Sequence, residues 1–128
     1  MADIKTIMTA DPSGAGLVES AKSTAERLVK DGLTRSQIRN IFTEVRRIEA
    51  LWDLDQGKAL RRLSMLKPKL DYQSARSSQV NYLAEVLGQA IDQVNAAGEP
   101  DQQTERFQRF IELFEAILAY HRALGGRN

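Results

Sequence analysis

The segment Leu33-Thr34-Arg35-Ser36-Gln37-Ile38-Arg39-Asn40-Ile41-Phe42-Thr43-Glu44-Val45-Arg46-Arg47-Ile48-Glu49-Ala50-Leu51-Trp52 reads as a single amphipathic helix whose start is written in the chain. Thr34 and Gln37 have the spacing of a capping box, in which each side chain satisfies the other's backbone N–H. Leu33 and Ile38 occupy the two positions of a hydrophobic staple. Ile38, Ile41, Phe42, Val45, Ile48 and Trp52 recur at helical spacing and form the buried stripe. The residues Asp53–Gly57 look like the turn that follows.

The same periodicity extends in both directions, with no sustained two-residue alternation. An earlier helix is expected over about Leu17–Asp31, stopped by Gly32, with Leu17, Val18, Ala21, Ala25, Leu28 and Val29 inward. A later one is expected over about Gln56–Ala75 on Ala59, Leu60, Leu63, Leu66 and Leu70. Pro68 lies inside it and predicts a kink near Lys67 or a division into two shorter helices. Ser77 or Ser78 would cap the next helix, which buries Val80, Leu83, Leu87, Ile91 and Val94. After the break at Ala96–Pro100, a last helix over about Asp101–Leu124 turns Phe107, Phe110, Ile111, Phe114, Ile117 and Leu118 inward and ends at Gly125 and Gly126. The expected fold is all-α, a single compact bundle of about five helices spanning residues 17–128. Residues 1–16, with Pro12, Gly14 and Gly16, are expected to be a flexible N-terminal arm and lack the pattern of a signal peptide.

Composition narrows the function. The 128 residues make one domain, and the absence of cysteine excludes disulfides and thiolate metal sites. It also fits a reducing, cytoplasmic setting. No apolar run approaches the ~20 residues of a membrane span, so no membrane partner is expected. The net charge of +1 hides a segregation. Residues 33–79 hold ten Lys/Arg against five Asp/Glu, whereas residues 80–128 hold four against seven. A basic half of this kind points to a polyanion.

At 100° per residue, Arg35, Arg39 and Arg46 fall within about 60° of Phe42, one line beside the apolar face, with Arg47 farther toward solvent. Lys58, Arg62, Lys69, Tyr72 and Arg76 share a second line, within about 40° of Lys58 and roughly 27 Å long. Such cations could meet several phosphates while Tyr72 stacks on a base or sugar. The alternative is a plain solvated face paired with acids. Pairing within these helices looks poor, because only Glu49 lies near the first line and Asp71 is the one acid in the body of the second helix. Backbone contacts of this sort would carry affinity and salt dependence but no base identity.

No catalytic constellation, metal motif or nucleotide loop appears, so neither cofactor nor metal is expected. The one histidine, His121, sits near a helix end, where a surface or capping role against the helix dipole is the simple expectation. The rival is a phosphotransfer domain centred on an exposed His121. A helix-turn-helix is a further alternative, disfavoured because the cations spread along the whole second basic helix. A protein-only helical adaptor is another.

Three segments carry a family resemblance. Gly32–Asn40 resembles G-L-T-x-S-Q-[IL]-R-x, Leu66–Arg76 resembles L-K-P-K-L-x-Y-x-x-[AG]-R, and Phe114–His121 is similar to F-E-A-[IL]-[LV]-A-Y-[HA]. In that order they resemble the small helical subunit of type III-A CRISPR effector complexes, over about Gly32–Leu124. The resemblance implies a non-enzymatic RNA-binding subunit, stacked in several copies as an inner filament beside the backbone subunits that carry the guide RNA. Its partners would be guide RNA and target RNA, the backbone, large and other subunits, and further copies of itself. Target RNA is cut on the backbone subunit of such complexes. DNA cleavage and cyclic oligoadenylate synthesis belong to the large subunit. Arg39, Lys67, Lys69, Tyr72 and Arg76 match motif positions, and Lys67 falls on the opposite side of an unbroken helix. Arg35, Arg46, Arg47 and Arg62 join the expected RNA-binding set on charge and geometry alone. Asp71 and Ser74 depart from the small residues common at their positions, and the arm before Gly32 finds no support.

Overall fold

A computed structural model describes residues 3–128. Six α-helices and one 3₁₀ turn account for most of them: α1 Ile4–Thr9, α2 Ala15–Lys30, α3 Arg35–Trp52, α4 Gln56–Arg76, the turn Ser78–Val80, α5 Asn81–Asn95 and α6 Pro100–Ala123. The described residues contain no strand, and no helix among them is long and apolar enough to cross a membrane.

The capping box at Thr34 forms as read, with Gln37 N–H donating to Thr34 Oγ1 at 3.1 Å and Thr34 N–H to Gln37 Oε1 at 2.9 Å. Gln37 Nε2 also donates to Ser77 Oγ at 3.1 Å, pinning the start of α3 to the end of α4. Ser77 therefore does not cap α5, which begins at Asn81 behind the 3₁₀ turn without a side-chain cap. Pro68 does not divide α4, which runs as one helix from Gln56 to Arg76. Both Pro68 and Ser64, whose carbonyl loses its donor, lie on the exposed side, where solvent can satisfy it.

The long helix α6 organises the core. It packs chiefly along α2 and also against α5, α3 and α1, while α4 lies across α3 and α5. Phe107, Phe110, Ile111, Leu113, Phe114 and Ile117 are all buried, covering far more of the helix than one stripe. Each large side chain so buried contributes about 1.5–3 kcal/mol. Trp52 of α3 stacks on Phe107 with centroids 4.1 Å apart and donates its indole N–H to Thr104 Oγ1 at 2.9 Å. Phe42 meets Phe114 edge-on at 5.0 Å. The buried face of α2 is built from small residues, Ser20, Ala21, Thr24 and Ala25, between Leu17 and Leu28. Val18, expected inward, is exposed.

The N-terminal arm is a correction to the sequence reading. Asp3 caps α1 by accepting from Thr6 N–H at 2.7 Å, which holds its carboxyl below the usual range. Ile7 and Met8 are fully buried against the core. A six-residue helix does not persist alone. Here α5 and α6 supply the missing surface, and Arg109 of α6 reaches the carbonyls of Ile7 and Asp11 at 3.5 and 3.4 Å. Asp11 in turn accepts from the N–H groups of Gly16 and Leu17 at the start of α2.

Two helix ends meet at His121. Gly32, at φ 85°, ends α2, with Gly32 N–H on Val29 O and Leu33 N–H on Leu28 O. Gly125, at φ 86°, ends α6 in the same way, with bonds to Arg122 O and His121 O. Each is a Schellman closure, which a left-handed glycine permits. His121 Nε2 lies 2.8 Å from Leu33 O and joins the two ends. Gly126 is packed so closely on the imidazole of His121 that a Cβ there would overlap the ring. Arg127 O then accepts from Arg35 N–H at 2.7 Å, so the tail closes over the start of α3.

Ile7→Ala is expected to destabilise the fold by about 2–5 kcal/mol in urea unfolding, as for other buried truncations. A free arm would give no change. Gly126→Ala is expected to lower stability by about 1–3 kcal/mol through overpacking against His121, read as a lower thermal midpoint.

Candidate nucleic-acid interface

Helices α3 and α4 run antiparallel. Gln37 and Ser77 meet at one end, and further along Glu44 reaches back to Arg62. This places the cations of two separate sequence lines on adjoining helices, but it does not keep them as one line. They fall into groups defined by what each touches.

The first group surrounds Glu44. Its carboxylate, with a side chain only 16 % exposed, is 3.0 Å from Arg62, 3.5 Å from Arg47 and 4.0 Å from Lys69. The expectation of poor pairing is thus corrected: Glu44 faces α4, and its partners come mostly from the neighbouring helix. One carboxylate shared by three cations still leaves positive charge in excess. Exposed pairs of this kind add little stability, about 0–1 kcal/mol each, but they hold side chains in place. Along α4 the group continues to Tyr72, 64 % exposed, with the Arg76 guanidinium 5.7 Å above its ring. Arg76 also lines a depression with Gln37, Asn40, Gln73, Ser77 and Val80.

The second group faces α6. Arg46 lies over Phe42 at 4.7 Å and pairs with Glu49 at 2.7 Å and Glu115 of α6 at 3.5 Å. The hydrogen bond to Glu49, followed by the charges of Glu49 and Glu115, raises the guanidinium pKa above its ordinary value, against partial desolvation. Arg35 and Arg39 line a separate depression of about 260 Å³ with Ile38, Leu118, His121 and Arg122. Neither Arg35 nor Arg39 forms an ion pair among the described residues. Arg35 Nε is buried with no partner, a state that costs about 1–3 kcal/mol.

Lys67 belongs to neither group. It is paired with Asp92 of α5 at 2.6 Å, on the far side of α4, as an unbroken helix requires. The pair clamps α4 to α5, away from the cations gathered around Glu44.

His121 is 1 % exposed, and its Nε2 faces a carbonyl that can only accept, so Nε2 carries the proton. The expectation of a surface or capping histidine is corrected. The phosphotransfer alternative falls with it, because a phosphoryl group cannot reach a ring nitrogen enclosed by Leu33 and Gly126. The sequence reading also missed Arg109 and Arg122. Arg109 tethers the N-terminal segment, and Arg122 completes the rim of the α3–α6 depression.

No curated protein and no solved structure matches the chain. A protein-family match, described as Csm2 Type III-A, covers residues 11–127 and so includes all of the cationic groups above. It also takes in most of the segment before Gly32, which the three short motifs do not reach. With nearly the whole chain matched, the protein belongs to the Csm2 Type III-A family, the small subunit of type III-A CRISPR effector complexes.

Proposed function

We propose that the protein is a non-catalytic RNA-binding structural subunit, stacked in several copies along the guide RNA–target RNA duplex in the cytoplasm. In this reading the α3–α4 face holds phosphates of the target strand in any sequence. The backbone, large and other subunits of the effector complex, and further copies of the chain, contact the remaining surfaces.

The observation that carries the reading is the convergence of Arg47, Arg62 and Lys69 on the single carboxylate of Glu44. Glu44 orders three long side chains while neutralising one charge. Arg62, Lys69 and Arg76 also recur every seven residues, about 10.5 Å apart along α4. Tyr72 stands exposed between the last two, where a ring can stack on a sugar or base. None of these groups reads a base edge, so affinity follows the phosphate backbone. Arg46 and Lys67 are engaged in holding helices together and are left out of the phosphate-binding set.

The test is RNA binding by the assembled complex across a salt series. Changing Arg62, Lys69 and Arg76 together to Ala is expected to weaken binding for all target sequences alike. The slope of log K against log salt should flatten by about 0.7–0.9 for each phosphate that is no longer neutralised. Lys67→Ala is expected to leave both quantities unchanged. Unaltered affinity and slope in the triple variant would overturn the proposal and favour a protein-only adaptor.

A further inference from the structure

We infer that copies of the chain join end to end, the Asp53-Leu54-Asp55 turn of one copy entering the arginine-rimmed depression between α3 and α6 of the next. The inference rests on the stacking proposed above and specifies which surfaces meet.

The inserting element is the turn between α3 and α4. Leu54 is 84 % exposed, the most exposed large apolar side chain among the described residues. Exposed carboxylates flank it on both sides, Asp53 and Asp55. The turn is firmly held: Leu54 N–H and Asp55 N–H both donate to Leu51 O, at 3.0 and 2.8 Å, and Asp55 caps α4 through Lys58 N–H at 3.1 Å. A held turn loses little conformational freedom on docking. Glu99 and Asp101 add to the acidity of this end, since Gln56 bonds to Pro100 O at 2.9 Å, with Lys58 as the nearest cation in sequence.

The receiving element has the opposite character. Ile38 and Leu118 give the depression an apolar floor, Arg35, Arg39 and Arg122 give it a cationic rim, and no carboxylate lines it. Its volume, about 260 Å³, admits a branched aliphatic side chain. Arg39 and Arg122 are exposed and can meet an incoming aspartate, whereas Arg35 Nε is closed to solvent. Apolar side chain against apolar floor, with two carboxylates against three guanidiniums, is a complementary pair.

The two elements cannot meet within one copy. The depression lies at the start of α3 and the turn beyond its end, roughly 24 Å away at the helical rise. Two different patches at opposite ends make a heterologous contact, which propagates as a chain of copies rather than closing a dimer. The contact draws on the two ends of α3 and uses none of Arg62, Lys69 or Arg76.

The chain has no cysteine, so every thiol in it is an introduced one. A variant carrying Leu54→Cys and Leu118→Cys, treated with a short bismaleimide, is expected to give a ladder of dimers, trimers and higher species. Either single variant is expected to stop at dimers or below. Arg39→Glu with Arg122→Glu in the same background is expected to cut the ladder at least tenfold, and adding Asp53→Arg to restore it. Absence of the ladder while a lysine-reactive crosslinker still joins neighbouring copies would overturn this contact and leave stacking intact. If neither reagent joins copies, the stacking reading fails and the inference with it.

Discussion

The hydrogen bond between His121 Nε2 and the Leu33 carbonyl ties together the ends of α2 and α6 and the start of α3. Each helix end has already closed on a left-handed glycine, so the chain leaves it in a fixed direction. The Leu33 carbonyl is then buried and needs a donor. His121 provides it, Gly126 packs on the ring, and Arg127 O takes the first free N–H of α3. The position of Arg35 and Arg39 beside Leu118 and Arg122 follows from this junction. A histidine that looks like a candidate for chemistry is instead the buried fastener that sets where the cations stand.

Charge in this molecule works at two levels. Arg46, Lys67 and Arg109 are structural cations: each joins its helix to another element through a carboxylate or backbone carbonyl. Arg47, Arg62 and Lys69 gather around Glu44 on the exposed α3–α4 side. A single carboxylate among three cations reduces their mutual repulsion without cancelling their field. That arrangement suits the proposed hold on a polyanion in any sequence, because positioned charge confers affinity and orientation but carries no base information.

The ends of the bundle differ as strongly as its sides. The α3–α4 turn is acidic with one projecting leucine, and the α3–α6 depression is basic with an apolar floor. The proposed contact between copies would draw on these two ends and on none of Arg62, Lys69 or Arg76.

Helix positions were legible in the sequence wherever they depend on neighbouring residues. Thr34 with Gln37, Gly32, Pro100 and Gly125 mark boundaries by local backbone chemistry, and the α3, α4 and α6 stripes follow helical spacing. Family membership was also legible, through three short motifs. Other features required the folded chain. Helix α1 is too short to signal itself and exists through Ile7, Met8 and an arginine 102 residues away. Glu44 gains Arg62 from 18 residues along the chain, so its role is invisible to periodicity within one helix. Val18 turned outward because α2 approaches α6 on small residues rather than on its largest ones. Local steric and hydrogen-bonding rules act over three or four residues and can be read from a string of letters. Burial, charge pairing and the grouping of cations depend on which helices become neighbours, and packing around α6 decides that.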